Sequence, residues 1–397
     1  MIRIKKIGLM FFCLLGVFVL VACHSKDLDD ENEAVKCEQT VIVFFPWSGN
    51  ETGGNSLYSA FLHNLVMMEK AITEANGLGG TRLLVYIEHD ADSGELKEMT
   101  FQDGATGYRT WKTYDKAVAS RAGGLAELFH EIVTLSPAYH YGMIIGGHGS
   151  GWTYMDNWQS YPYGMPKRIG TRCFGSVFSR RHAFSVESLA EALSLTGLHM
   201  DYILFDVCYM SNIETAYALR GVTNYLVAST SEILSSGMPY DTMLPYLLGT
   251  PDYDSACRQF YEFYSNYHYP YGTIATIDCR HLDRLASIMK VINTYALSSS
   301  YNLDDVQILD GFTPCIFYDL VDYVDIACKD EALKDLLHQE LESTVPYKYH
   351  TPTLLTVIGG TRTVPIESFC GLSISDPSTS HVAVDGRTRT AWYQATH

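Results

Sequence analysis

Two stretches hold groups suited to nucleophilic chemistry. Ile144-Ile145-Gly146-Gly147-His148-Gly149-Ser150-Gly151-Trp152 sets an imidazole among small residues, and Ile203-Leu204-Phe205-Asp206-Val207-Cys208-Tyr209-Met210-Ser211 sets a thiol just past an apolar run. A thiol attacks as its thiolate, and a neighbouring imidazole both lowers its pKa and returns a proton to a departing amine. Glycines around His148 let the backbone come close to a substrate, and the amides of Gly149 and Cys208 are natural donors to a developing oxyanion. Ser211 and Asn212 start a helix directly after the cysteine, and its positive end is expected to favour the thiolate. Taken one at a time, each residue has a plainer explanation. A cysteine after a strand is commonly a small core residue, and a histidine beside glycines is commonly a loop residue.

Positioning these groups requires strands that end on the same edge of a sheet. Thr40 to Phe45 is a short apolar, β-branched run followed by a Gly- and Asn-rich loop and a helical pattern from Ser56 to about Ala75. The alternation returns with Arg82 to Ile87, a helix from about Tyr114 to Leu135, and the strand Tyr141 to Ile145. A helix over Ser185 to Leu195, the strand Asp201 to Phe205, a helix from Asn212 to Arg220 and the strand Tyr225 to Ala228 follow. Such continuous apolar runs predict an α/β fold, a mostly parallel sheet with helices on both faces, whose working residues sit in loops at the carboxyl ends of strands. His148 and Cys208 are 60 residues apart, room for one helical crossover that returns to the same sheet. After about Pro239 the chain turns aromatic-rich and helical, with strands expected at Thr273 to Ile277 and Gly371 to Ile374. The expected division is a signal over 1–22, an acidic tether over 23–38, a core over 39–240 and a helical and mixed C-terminal part over 241–397 packed on it.

The first residues read as an export signal: Arg3, Lys5 and Lys6, then an apolar run from Gly8 to Val21 that is too short to span a bilayer. It closes on Leu20-Val21-Ala22-Cys23, which resembles a bacterial lipobox and implies lipidation of Cys23, the alternative being an ordinary signal with a chance cysteine. The acidic residues after it resemble the export signals of surface lipoproteins of gut Bacteroidetes. The expected location is therefore the cell envelope, at the outer membrane and facing outwards. The 397-residue chain carries a formal net charge of −17, and three of its 28 basic residues but none of its 45 acidic ones lie in the signal. That balance argues against a nucleic-acid partner. The remaining cysteines form no CxxC pair, so no metal centre is indicated. No GxGxxG or GxxxxGK[ST] loop follows a strand, so no nucleotide or flavin cofactor is expected.

The histidine and cysteine segments resemble the active-site blocks of clostripain-like cysteine peptidases. That group shares a caspase-like fold with caspases, legumains, gingipains and separase. Ser185 with Leu189 to Leu193, Tyr225 to Ser229, Gly237-Met238-Pro239-Tyr240, Cys370 to Ile374 and Thr390 to Tyr393 extend the likeness over about residues 40 to 395. The resemblance implies an endopeptidase with Cys208 as nucleophile, His148 as general acid and base, and the amides of Gly149 and Cys208 as oxyanion donors. It places Asp206 in the S1 pocket, where a carboxylate prefers arginine or lysine; the alternative is a helix-capping carboxylate. The pattern departs from the family between Phe174 and His182, and after Ser229 only Glu232 offers a negative charge before Asp241, which puts basic specificity in question. Lys167, Arg168, Arg172, Arg180 and Arg181, in the segment from Tyr154 to His182, are candidates for self-processing. The partner implied is a peptide or protein, the enzyme a monomer, and the chemistry free of cofactor, with calcium left open. The rival reading is a catalytically silent surface lipoprotein that binds peptide, glycan or host protein.

Overall fold

The run Thr40 to Phe45 is too apolar for a surface and too short for a helix, and in the computed structural model it is the centre of strand β1 (Cys37–Phe45). The structure describes residues 36–154, 174–176, 178–298 and 300–397. The signal, Cys23, nearly all of the acidic tether and most of the 154–182 segment lie outside the described residues. Helix α1 (Tyr58–Glu74), strands β2 (Thr81–Glu88), β3 (Gly94–Gln102) and β4 (Ala105–Tyr114), helix α2 (Ala122–Leu135) and strand β5 (Ala138–Gly146) follow. Three two-residue strands, β6 (His148–Gly149), β7 (Phe174–Gly175) and β8 (Ala183–Phe184), make a small sheet at the end of β5. Then come α3 (Val186–Thr196), β9 (Met200–Asp206), α4 (Ile213–Leu219), β10 (Thr223–Ala228), α5 (Tyr240–Met243), α6 (Tyr253–Ser265), β11 (Thr273–Asp278) and α7 (Leu282–Val291). The strands β12 (Tyr318–Asp319), β13 (Tyr347–His350), β14 (Thr353–Thr356), β15 (Arg362–Pro365) and β16 (Ser373–Ile374) complete the series.

Nine strands form the central sheet in the order β13-β11-β10-β9-β5-β1-β2-β3-β4. The inner five, β10, β9, β5, β1 and β2, are parallel, and both margins are antiparallel. Two margin strands, β11 and β13, come from the part of the chain after residue 240, so that part completes the sheet. Alternate residues of each strand face opposite ways. Val41, Val43 and Phe45 pack with Phe61, Leu65 and Met68 of α1 and with α5 and α6, while Ile42 and Phe44 pack with α2, α3, α4 and α7. Covering both faces explains why the inner strands read as unbroken apolar runs. Among the described residues no helix is long and apolar enough to cross a membrane.

The β3–β4 hairpin runs up to Tyr114, where the sequence pattern places the start of a helix, and α2 begins only at Ala122. Its turn is Asp103-Gly104, both at positive φ (53° and 77°), which a two-residue hairpin of this hand requires. Close approach at Gly142 is equally specific. It pairs with Tyr202 on β9, and a Cβ at 142 would stand 2.6 Å from that ring's hydroxyl. Gly142→Ala is expected to cost about 1–3 kcal/mol by overpacking and to lower the melting temperature by several degrees in a thermal unfolding scan.

Candidate active site

Register sets the site. Gly146 of β5 pairs with Asp206 of β9, so His148 and Cys208 each lie two residues beyond the same rung of adjacent parallel strands, which run about 4.8 Å apart. The loops that follow β1, β5, β9 and β10 leave the sheet on this one edge. Together they enclose a cleft of about 210 Å³ lined by His148, Gly149, Asp206 and Cys208, with Asn64, Phe178, Glu232, Ile233 and Gly237 among the other walls. The sequence-predicted groups are thus brought together, whereas Cys23 lies outside the described residues.

Behind the thiol, the chain turns sharply. Tyr209 sits at φ 61°, a left-handed conformation that costs a non-glycine residue about 1–3 kcal/mol and persists only when fixed from outside. Here its carbonyl accepts the Asn212 side-chain N–H at 2.6 Å, its N–H donates to Ser231 at 3.1 Å, and its ring stacks on Phe317. Asn212 also caps α4 by accepting the Thr215 N–H at 2.7 Å. Gly151, at φ +64°, passes so close to this turn that a Cβ would meet Asn212 at 2.8 Å.

Cys208 is held by Ile233: the thiol donates to its carbonyl and accepts its N–H, both at 3.3 Å. Burial, then Glu232, push the thiol up to about 12, and the single N–H from Ile233 does not offset them. The helix start after Cys208 therefore does not deliver the lowered thiol pKa expected from sequence, because desolvation and acidic neighbours outweigh a seven-residue helix. His148 Nε2 bonds the carbonyl of Asn55 at 3.1 Å, and its ring meets Phe178 edge to face at 5.4 Å. Part of the ring reaches solvent, yet the atoms packed round it hold its pKa below the ordinary histidine value. Among the described residues no hydrogen bond joins imidazole and thiol, and each is tethered separately in the unliganded protein.

Asp206, 8% exposed, does not cap α4. Its Oδ2 accepts Tyr240 Oη at 3.0 Å and the N–H groups of Asn64 and Met238 at 3.3 Å. Among the described residues all three bonds go to Oδ2 and none to Oδ1, and burial raises the carboxyl to about 6. Gly237, at φ +65°, lets the 229–239 loop cross this carboxylate, since a Cβ would stand 2.7 Å from Oδ2. Glu232, the second acid of the cleft, accepts from Tyr209 at 2.8 Å, from Thr356 and from the Val357 N–H at 3.1 Å. Its carboxylate anchors the turn after β14. Asn55, Asn64 and Ile233 were not singled out from sequence; Asn64 alone had a signal, a polar residue on the apolar stripe of α1. Among the described residues no group of three or more His, Cys, Asp or Glu is placed to hold a metal ion.

Residues 51–343 match the model of the Clostripain family. The chain belongs to the clostripain family. It is a cysteine peptidase. A secreted C11 cysteine protease of Bacteroides thetaiotaomicron called iotapain is 38% identical, with 92% of this chain and 100% of that one covered and a TM-score of 0.83. An inactive zymogen C11 protease of Parabacteroides distasonis is 25% identical over 92% of this chain and 99% of its own, TM-score 0.76. A clostripain of Bacteroides thetaiotaomicron in complex with the peptide inhibitor BTN-VLTK-AOMK is 45% identical over 55% of this chain and 97% of its own, TM-score 0.53. No curated protein matches the chain by sequence.

Proposed function

We propose that this clostripain-family peptidase cleaves proteins after arginine or lysine through a Cys208–His148 dyad. Cys208 attacks the scissile carbonyl, His148 takes the thiol proton and gives it to the leaving amine, and the amides of Gly149 and Cys208 receive the oxyanion. The observation that carries this reading is the cleft itself: a buried carboxylate with one oxygen uncommitted lies in the same cavity as the thiol and the imidazole. A guanidinium or ammonium there replaces lost water with a charged partner, which no neutral side chain can do. The peptide VLTK in the inhibitor of the Bacteroides thetaiotaomicron clostripain ends in lysine, in keeping with this preference. The test is hydrolysis of fluorogenic peptides with Arg, Lys, Ala or Asp at P1 by residues 24–397. Turnover confined to Arg and Lys is expected; preference for Ala or Asp would sink the specificity.

On this reading the enzyme is held at the envelope by lipid on Cys23 and acts without a cofactor. It is also processed by itself between Tyr154 and His182, where basic residues cluster. Intact-mass analysis should find wild type cut in that interval and Cys208→Ala intact; uncut wild type of full activity would refute self-processing. Calcium, left open by the sequence, is addressed by assaying the cleavage with and without a chelator.

A further inference from the structure

The histidine and cysteine loops are joined by a chain of buried hydrogen bonds that does not touch the cleft. Trp152, four residues after His148, donates its indole N–H to Ser375 Oγ at 2.8 Å. Ser375 donates its hydroxyl, and at 2.9 Å its backbone N–H, to Oε1 of Glu214. Glu214 lies in the first turn of α4, six residues after Cys208, and is 2% exposed. The segment that carries Ser375 is itself sewn to the cysteine loop: Ser373 N–H donates to the Ser211 carbonyl at 3.0 Å, and Ser211 Oγ to that of Gly371 at 2.6 Å. Oε2 of Glu214 is buried and accepts no hydrogen bond among the described residues, and the buried Asp376 carboxylate faces the Trp392 indole. Burial, then Asp376, raise the Glu214 carboxyl to about 8. The charged and titratable groups round this pair are Arg387, which donates to the carbonyls of Asp376 and Ser378, with His397 and Tyr323.

We propose that Glu214 is a positioning residue of the catalytic pair: through Ser375 it fastens Trp152 of the histidine loop to the helix behind Cys208. The inference rests on the Cys208–His148 reading. Trp152→Phe and Ser375→Ala each delete one link, and each should lower kcat by roughly tenfold or more with KM within about twofold, as misplacement of reacting groups does. Melting temperatures, measured alongside, should fall by no more than a few degrees, leaving both variants folded at the assay temperature. Glu214→Gln keeps an acceptor for Ser375 and should hold wild-type kcat at pH 7, whereas Glu214→Ala should not. Wild-type kcat in both Trp152→Phe and Ser375→Ala, or a Glu214→Gln variant as slow as Glu214→Ala, would overturn the proposal. Cys208→Ala separates the two readings: if it is inactive while Trp152→Phe is fully active, only the positioning role fails, and if it is active, the dyad fails first.

Discussion

Cys208→Ala is expected to lower kcat/KM by ~10⁴ or more, His148→Ala by a similar factor, and the double variant no further, because nucleophile and base act as one unit. Peptide affinity should survive, since Asp206 and the loop walls remain, so the loss appears in kcat. The tethers in the unliganded site sharpen the expectation. With the thiol pushed up to about 12 and the imidazole held below its ordinary value, the pair is neutral at pH 7. On the proposed dyad the reaction then begins with a proton transfer to His148 as thiol leaves Ile233 and imidazole leaves Asn55. The turnover number kcat should hold down to pH 6.5 and fall as pH drops through the lowered histidine pKa, because protonation removes the base. Alkylation of free enzyme by iodoacetamide should be slow at pH 7, since little thiolate exists. Rapid, pH-independent alkylation would mean a preformed ion pair and would refute the neutral resting state.

The parts of the site that lie on one strand end were legible from sequence. Asp206 and Cys208 follow one apolar run, His148 follows another, and register alone then places them on one edge. Groups supplied from across the fold were not. Asn55 reaches His148 over 93 residues and Ile233 reaches Cys208 over 25, through loops whose paths no local pattern sets. The same holds for the thiol: the sign of its shift depends on burial and on Glu232, which packing decides. The β3–β4 hairpin was missed for a different reason. Its strands are half-exposed and rich in Glu, Lys and Thr, so they lack the apolar run that reveals a buried strand, although Asp103-Gly104 carried the turn signal.

Asp206→Asn should reduce kcat/KM for Arg and Lys peptides by on the order of 10² to 10³ while leaving an Ala peptide within a few-fold, as loss of one partner from a buried charge pair does. Asparagine is the informative change because its carbonyl can still accept from Tyr240, Asn64 and Met238, so the pocket keeps its shape while the charge goes. Alanine would orphan three donors and confuse specificity with folding. The pH dependence gives an independent check. Burial raises Asp206 to about 6, so its charge is present above that value and lost as pH falls through it. KM for Arg and Lys peptides should therefore climb below about pH 6, whereas KM for an Ala peptide should not and Asp206→Asn should show no such climb. Glu232 does not stand in for the missing charge while its carboxylate is held by Tyr209, Thr356 and Val357. Should Asp206→Asn still prefer arginine, the cation must be met by that acid after Thr356 and Val357 let it go, and Glu232→Gln in the same background would then abolish the preference.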